Sequence, residues 1–256
     1  MSVDRRNFIK MAGVGAAIGL ATKAGASTLT GKSGSYKPDY AASTAHRWAM
    51  VIDLRKMSEE TIAGCAEACH KAHNVPRWDN AKDEIKWIWG EPYHNAFPAQ
   101  ENHHTKEDLA HKMVPVLCNH CDNPPCVRVC PTQATWRRED GIVMMDWHRC
   151  IGCRYCITAC PYGSRSFNWR DPRPAIEEID KTFPTRVRGV VEKCTFCNER
   201  LARGEQPACV EACEGGEIVF GDLEDPNSEV RNLLAEHFTI RRKTGLGTQP
   251  EIYYIV

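Results

Sequence analysis

The apolar positions of this chain fall in short runs that are separated by long polar stretches rich in Gly, Pro and charged residues. Short runs with β-branched or aromatic residues predict strands rather than long helices. No run approaches the roughly 18 residues that a membrane-spanning helix needs. A short helix is expected from a cap at Asn227 or Ser228 to Glu236. Strands are expected at 48–54, 113–117, 141–146 and 217–221, and the apolar end 251–256 is expected to pack on the body or a partner.

Eight of the fourteen cysteines follow these strand candidates in two similar runs. The first run is Cys118-x2-Cys121-x4-Cys126-x3-Cys130-Pro and the second is Cys150-x2-Cys153-x2-Cys156-x3-Cys160-Pro. Three closely spaced thiolates can hold one face of a cubane [4Fe–4S] cluster, and the fourth cysteine of such a run ligates the other cluster in two-cluster ferredoxins. Crossed pairing therefore assigns Cys118, Cys121, Cys126 and Cys160 to cluster A, and Cys150, Cys153, Cys156 and Cys130 to cluster B.

Zinc sites and a disulfide framework are the alternatives for these eight cysteines. Zinc sites usually show two well-separated Cys-x2-Cys pairs or mixed Cys and His ligands. Two runs of four cysteines that each end in Cys-Pro fit neither alternative. Strand, cysteine loop and short helix occur twice, which is the internal duplication of a two-cluster ferredoxin, and clusters would stabilise a module too small for a large apolar core.

The charge of the chain is balanced, since 33 basic and 33 acidic residues give no net charge, so no polyanion partner is indicated. Residues 1–26 are expected to form a twin-arginine export signal. Arg5 and Arg6 precede a short, weakly apolar segment, and Ala24-Gly25-Ala26 offers a cleavage site. Residues 27–45 are expected to be a linker. The twin-arginine route exports proteins that are already folded, and an iron–sulfur cluster must be inserted before export, so the signal and the cysteine runs agree. We therefore expect a periplasmic location.

The remaining cysteines form two outer groups, Cys65-x3-Cys69 and Cys194-x2-Cys197-x11-Cys209-x3-Cys213. Between the first outer group and the inner runs, residues 74–112 are polar and aromatic and are expected to be an insertion that carries loops. Its histidines, His94, His103, His104 and His111, show no clear ligand spacing, so a solvated surface is favoured over a metal site.

Together, the four cysteine groups, the Cys-Pro endings, Glu192-Lys-Cys-Thr-Phe-Cys197 and Pro207-Ala-Cys-Val-Glu-Ala-Cys213 resemble the four-cluster ferredoxin-like subunits of membrane oxidoreductases, such as the polysulfide, nitrite and formate systems. The segments 160–163, 167–173 and 220–226 resemble, more narrowly, the periplasmic iron–sulfur subunits of sulfite-reduction-associated membrane complexes. The resemblance implies an α+β fold of tandem two-cluster, bacterial-type ferredoxin-like modules with loop insertions. It divides the chain into an outer module begun at 46–112, an inner module at 113–170, the rest of the outer module at 171–225, and a C-terminal helix and tail at 226–256.

In that family the outer groups are also cross-paired, which implies a cluster C held by Cys194, Cys197, Cys209 and Cys69. The fourth site departs from the family pattern, because Met57 stands after Asp53-Leu-Arg-Lys56, where the family has its first cysteine, and because Glu214 instead of proline follows Cys213. Cys65 and Cys213 alone cannot hold a cluster, so we expect three [4Fe–4S] clusters and an oxidised pair or a lost site at these two cysteines.

Other interpretations of the fourth site stay open at this point. In one, Cys65 and Cys213 are inert buried thiols, and in another, His70 or His73 serves as a replacement ligand. Cys65-Ala-Glu-Ala-Cys69-His70 is one residue longer than a haem-attachment motif, and a haem there would take Cys69 from cluster C.

The expected function is electron transfer, with no substrate site in this chain. Lone histidines such as His120 and His148 lie beside cysteine loops and are expected to hydrogen-bond sulfur or backbone. The resemblance implies two partners, an integral-membrane quinone-interacting subunit and a periplasmic multihaem cytochrome c, in dissimilatory sulfur metabolism. The alternatives are the iron–sulfur subunit of a molybdopterin oxidoreductase and a non-redox scaffold that binds zinc.

Overall fold

A computed structural model describes residues 46–100 and 102–256, which belong to one compact unit. The expected export signal at 1–26 and linker at 27–45 lie outside the described residues. The strands are β1 Trp48–Asp53, β2 Ile88–Pro92, β3 Met113–Leu117, β4 Thr135–Arg137, β5 Val143–Met145, β6 Ser166–Phe167, β7 Val191–Glu192, β8 Ile218–Asp222, β9 Thr239–Ile240 and β10 Ile252–Ile255.

The helices are short, apart from the first. They are α1 Glu59–Ala72, α2 Tyr93–Ala96, α3 Glu107–His111, α4 Pro125–Arg128, α5 Tyr155–Ala159, α6 Asn198–Leu201, α7 Ala208–Glu211 and α8 Glu229–Glu236, with single 3₁₀ turns at Pro98–Gln100, Arg173–Ala175 and Thr244–Leu246. None of the helices in the described part of the chain has the length and apolar character needed to cross a membrane. The mixture of short helices and sheets agrees with the α+β class.

Two of the helices begin at serine caps that satisfy backbone N–H groups. The Ser58 hydroxyl accepts a hydrogen bond from the N–H of Thr61 at the start of α1. Ser228, one of the two predicted caps, does the same for the N–H of Arg231 in α8. Such a cap stabilises a helix by about 1 kcal/mol.

The largest sheet in the described residues has four strands in the order β8-β1-β10-β9. β1 pairs antiparallel with β8 and parallel with β10, with Met50 opposite Ile252. The last residues therefore pack on the body, which is one of the two outcomes expected for the apolar end, and they do so as an inner strand of this sheet. Sequence reasoning did not find their place in the sheet, because a parallel neighbour about 200 residues away leaves no local signal.

The segment 74–112 also differs from the loop-bearing insertion that its polar composition predicts. It contains β2, which pairs antiparallel with β3, and the Trp87 side chain just before β2 is 1% exposed. The polar residues that surround β2 obscure its short apolar pattern.

The inner part of the chain repeats one arrangement. β3 leads through a cysteine loop to α4 and β4, and β5 leads through a second cysteine loop to α5 and β6. The strands pair as β4–β5 and β6–β7, and α4 packs on α5. This repetition is the one expected from the sequence, and it brings the two cysteine loops together.

Candidate iron–sulfur sites

Cys118, Cys121, Cys126 and Cys160 line one cavity, and we call them quartet A. Cys118 directly follows β3, Cys126 lies on α4, and Cys160 ends α5. Between the first two cysteines the backbone turns at His120, which adopts a left-handed φ of 41°. These are the four residues that crossed pairing assigns to cluster A, and their ligation of a cluster stays a prediction.

Cys130, Cys150, Cys153 and Cys156 line the second cavity as quartet B. The loop that carries three of them wraps because Gly152 and Arg154 have φ values of 68° and 63°. At Gly152 a side chain has no room, since a Cβ atom would lie 2.3 Å from the carbonyl oxygen of Gly189. The cavity holds the four cysteines that the sequence assigns to cluster B.

The third group is quartet C, in which Cys69 of α1 meets Cys194, Cys197 and Cys209. Burial raises the pKa of Cys69 well above its ordinary value, and the three neighbouring thiols raise it further. Phe196 and Cys197 both adopt left-handed backbone angles, so the loop after β7 curls around its own sulfurs. All four cysteines are at most 8% exposed.

Each quartet fits a [4Fe–4S] cluster by the chemistry of its donors. Four sulfurs converge in each case, and thiolates are the ligands that hold such clusters. Burial raises the pKa of Cys121 and Cys209 to about 12, so these sulfurs would not ionise without a cation to bind. Iron would supply that positive charge.

Quartet A lies between the other two. Burial raises the pKa of Cys194 in quartet C, and the nearby thiol of Cys118 adds to the shift. Burial also raises the pKa of Cys156 in quartet B, Arg165 opposes the shift, and Cys126 adds to it. Quartet A therefore has close neighbours on both sides, which gives the order B–A–C.

Arg165 is a buried cation at the boundary of quartets A and B. Its Nη2 donates to the sulfur of Cys126 over 3.0 Å and to the hydroxyl of Thr135 over 2.8 Å. Burial lowers the pKa of the guanidinium, but the four surrounding cysteines, led by Cys126 and Cys156, raise it overall. The side chain thus carries its charge between two groups of sulfurs.

Lys193 is the corresponding cation between quartets A and C. The side chain is fully buried, and its Nζ donates to the carbonyl oxygens of Val143 and of Cys194, the latter over 2.6 Å. Burial lowers the pKa of this ammonium group, whereas Cys118 and Cys194 oppose the shift. Sequence reasoning missed both roles, because a single cation beside a cysteine run does not reveal that buried sulfurs surround it.

Cys65 and Cys213 form a disulfide that joins α1 to the end of α7, with Cα atoms 6.5 Å apart. Each half-cystine lies four residues from a member of quartet C, namely Cys69 and Cys209. Met57, which stands where the resemblance expects a cysteine, is buried in the core. The joined sulfurs are not free for haem attachment or for a cluster with replacement histidines.

The histidines near quartet C have other roles. His73 lies with Nδ1 2.7 Å from the carbonyl oxygen of Cys69 and Nε2 2.9 Å from the carboxylate of Glu199. Burial, with a smaller effect of His73, lowers the pKa of His70 to about 4. Both rings therefore pack within the protein near Cys69.

The remaining predicted histidines divide between the core and the surface. Nδ1 of His120 accepts a hydrogen bond from the N–H of Val143 over 3.1 Å, and the ring stacks on Phe196. His148 is solvent-exposed beside Asp146. In the insertion, His94 bonds to the carbonyl of Ala110 and packs edge-on against His111.

Within the described residues, one group of side chains could hold a single metal ion, and it consists of His73, Cys197 and Glu199. This group includes none of the histidines of the insertion. Cys197 belongs to quartet C, so this group overlaps a predicted cluster site. The expected surface role of His103 and His104 agrees with their exposure.

Comparison with known proteins agrees with this geometry. The model of a family described as a 4Fe–4S dicluster domain matches residues 109–174 and 179–223. The first iron–sulfur subunit of an Hdr-like menaquinol oxidoreductase from Archaeoglobus fulgidus is 37% identical over 98% of this chain and 97% of its own length.

Two further relatives are similar over most of their length. A tetrathionate reductase subunit from Salmonella typhimurium is 34% identical over 100% of this chain and 89% of its own. The iron–sulfur cluster-binding subunit of a menaquinone reductase from Nitratidesulfovibrio vulgaris is 37% identical over 82% of this chain and 88% of its own length.

Proposed function

Because the chain belongs to the family of 4Fe–4S electron-transfer subunits of membrane oxidoreductases, we propose that it carries three [4Fe–4S] clusters and relays single electrons along them. The observation that carries this proposal is the arrangement of twelve cysteines in three quartets, with a disulfide beside the third. When bound, each cluster supplies a one-electron redox change. The chain has to hold the clusters in a row and to set the stability of each redox state.

The proposed ligands are the quartets themselves. Quartet A comprises Cys118, Cys121, Cys126 and Cys160, quartet B comprises Cys130, Cys150, Cys153 and Cys156, and quartet C comprises Cys69, Cys194, Cys197 and Cys209. The order B–A–C makes the central site the link between two ends. Arg165 and Lys193, at the two boundaries, favour added negative charge because a nearby cation stabilises the reduced form.

The count of three follows from the fourth site. A cluster needs four ligands, whereas this site offers two cysteines, and these are joined to each other. The disulfide also supports an oxidising compartment, in which such bonds persist. We therefore propose export through the twin-arginine signal at 1–26 and a periplasmic location at the cytoplasmic membrane.

Within the family we propose a member that resembles DsrO, the periplasmic subunit of the sulfite-reduction-associated DsrMKJOP complex. Its partners would be an integral-membrane quinone-interacting subunit and a periplasmic multihaem cytochrome c. The menaquinol oxidoreductase relative supports the quinone link. Electrons would then pass between the quinone pool and dissimilatory sulfur metabolism.

The test is a count of iron and acid-labile sulfide per chain in anaerobically purified mature protein, together with EPR of the reduced form. We expect about twelve irons, which corresponds to three four-iron clusters. About sixteen irons would contradict the count of three. A colourless protein that contains zinc would contradict electron transfer altogether.

A second candidate is the iron–sulfur subunit of a molybdopterin oxidoreductase. The similarity to the tetrathionate reductase subunit favours it, because that relative belongs to a reductase. Affinity purification of the tagged chain from its native host separates the two. Molybdenum in the purified complex supports this candidate, and a multihaem cytochrome supports the first.

A further inference from the structure

We propose that the surface around quartet B docks an acidic redox protein, and that Ile151, Arg154, Tyr155 and Trp169 form the centre of the contact. This proposal rests on the proposed electron relay, because it assigns one end of the relay to a type of partner. We call the surface formed by these four side chains the B surface.

The first observation is that quartet B is the most accessible of the three. Cys130, Cys150 and Cys153 are partly exposed, whereas every member of quartet C is buried and quartet A has only Cys160 at intermediate exposure. Quartet B is also an end of the order B–A–C. An external electron donor or acceptor can therefore approach this end most closely.

The second observation is a concentration of exposed apolar side chains at this end. Ile151 and Tyr155, which flank members of quartet B, are 67% and 63% exposed, and Trp169 is 47% exposed. The guanidinium of Arg154 lies over the ring of Trp169 at 4.8 Å, which links the cysteine loop to the segment after β6. Tyr, Trp and Arg are the residues that most often dominate binding energy at protein interfaces.

A neighbouring loop extends the same surface. The carbonyl of Gly189 lies against Gly152, and Val187, two residues earlier, is half-exposed. Four of the nine large apolar side chains that are exposed in the described chain therefore belong to this end of the molecule. Such clustering marks an interaction site, whereas isolated exposed apolar residues do not.

The third observation is charge. The segments 123–137, 147–170 and 185–191, which carry the cysteines of quartet B, the B surface and the neighbouring loop at Val187, contain eight arginines and no aspartate or glutamate, although the whole chain is neutral. Four of these arginines pair with acids outside the segments, namely Arg137 with Asp122, Arg149 with Asp146, Arg170 with Asp83 and Arg186 with Glu192. Arg128, Arg154 and Arg188 are exposed and supply an excess of positive charge. This excess indicates a partner with carboxylates around its own cofactor, since complementary charge speeds and orients encounter.

A lipid surface would also attract exposed Trp, Tyr and Arg side chains. The partly exposed cysteines beneath the B surface favour a redox protein, because a lipid headgroup can neither donate nor accept an electron. Electron-transfer complexes are typically small and short-lived, and a patch of a few side chains suits them.

The experiment uses mitochondrial cytochrome c as a probe, either unmodified or succinylated, so that the same haem carries opposite surface charge. The full, cluster-loaded chain is reduced, and haem reduction is followed by stopped flow at increasing salt. We expect the succinylated probe to react about tenfold faster at low salt and the difference to shrink as salt screens the charges. An equal or faster reaction of the unmodified probe would overturn the proposal.

Variants locate the contact. Arg154→Glu should slow the succinylated probe about tenfold, and Trp169→Ala should slow both probes. Arg203→Glu is the matched control, because Arg203 is an exposed arginine outside the three segments and should leave both rates unchanged. Equal effects of Arg154→Glu and Arg203→Glu would overturn the assignment of the B surface.

Two further measurements separate the causes of failure. Because Arg154 lies in the loop that carries three members of quartet B, the rates of each variant are compared per loaded cluster, from its iron content and EPR spectrum, and a chain without iron would refute the electron relay itself. Binding to vesicles of phosphatidylglycerol and phosphatidylcholine that disappears in Trp169→Ala would assign the B surface to a membrane and overturn the docking proposal.

Discussion

Arg165 donates a hydrogen bond from Nη2 to the sulfur of Cys126 over 3.0 Å, inside a site that is almost closed to solvent. A positive charge in such a place interacts strongly with any change of charge nearby. Reduction adds one negative charge to a cluster, so the guanidinium should stabilise the reduced state. The contact thus links one buried side chain to the energetics of two neighbouring sites.

We predict that Arg165→Met lowers the reduction potentials of the clusters at quartets A and B by about 60 mV, which for one electron is tenfold in the equilibrium constant. EPR-monitored redox titration of the purified protein measures the shift. Arg165→Lys is the control, since it keeps the charge and should retain most of the potential. Unchanged potentials in Arg165→Met would show that the charge has no such role.

Lys193 allows a complementary prediction, because its ammonium group lies near Cys118 and Cys194. Lys193→Met should lower the potentials at quartets A and C and leave that at quartet B unchanged. Only the central cluster should respond to both substitutions, and the same titration can test this. A shift confined to quartet B would contradict the order B–A–C.

Gly152 and Gly163 provide a matched pair of glycines, since both have a φ of 68°. An added Cβ at Gly152 would clash with the carbonyl of Gly189, whereas the same atom at Gly163 would meet open space. Gly152→Ala should therefore displace the loop of quartet B and lower the iron content by up to one cluster. Gly163→Ala should suffer only the backbone strain. Equal iron content in both variants would contradict this account.

Sequence reasoning predicted most of this molecule where the signal was local. The strands beside Cys118 and Cys150, the cap at Ser228 and the grouping of eight inner cysteines all follow from short patterns of spacing. Each of these features depends on residues that are close in the chain, so the sequence displays it directly.

The features that were missed depend on distant residues. The pairing of β10 with β1 and the burial of Trp87 become visible only when the chain is folded, because neither produces a distinctive local pattern. The roles of Arg165 and Lys193 were missed for a related reason. A single cation does not reveal from sequence alone that buried sulfurs surround it.

The disulfide between Cys65 and Cys213 closes a loop with a sequence separation of 148 residues. Cys213→Ser should lower the free energy of unfolding by about 2–4 kcal/mol, because the bond restricts the unfolded chain. Denaturant unfolding of the anaerobic protein measures this loss. Cys65→Ser and the double variant should be equally destabilised, since each lacks the same bond. Labelling that finds both thiols free in the exported protein would contradict the disulfide.

Arg186 and Glu192 form an ion pair with no exposure to solvent, in which Nη2 lies 2.7 Å from Oε2. The same carboxylate accepts hydrogen bonds from the indole N–H of Trp87, over 3.0 Å, and from the side-chain amide of Asn168. Glu192 precedes Lys193 and Cys194 in the chain, so this network positions the start of the loop that carries quartet C. Buried charges of this kind are tolerated only when they are paired.

Arg186→Met should therefore destabilise the protein by about 3–5 kcal/mol, because it leaves the Glu192 carboxylate buried without its cation. The double variant Arg186→Met with Glu192→Gln removes both charges and should recover part of that loss. Thermal unfolding of the iron-loaded variants, with the EPR signal of each cluster, measures the effect. Because the network lies beside quartet C, that cluster should be lost first on heating Arg186→Met. Loss of quartet B before quartet C would show that the network does not support the loop.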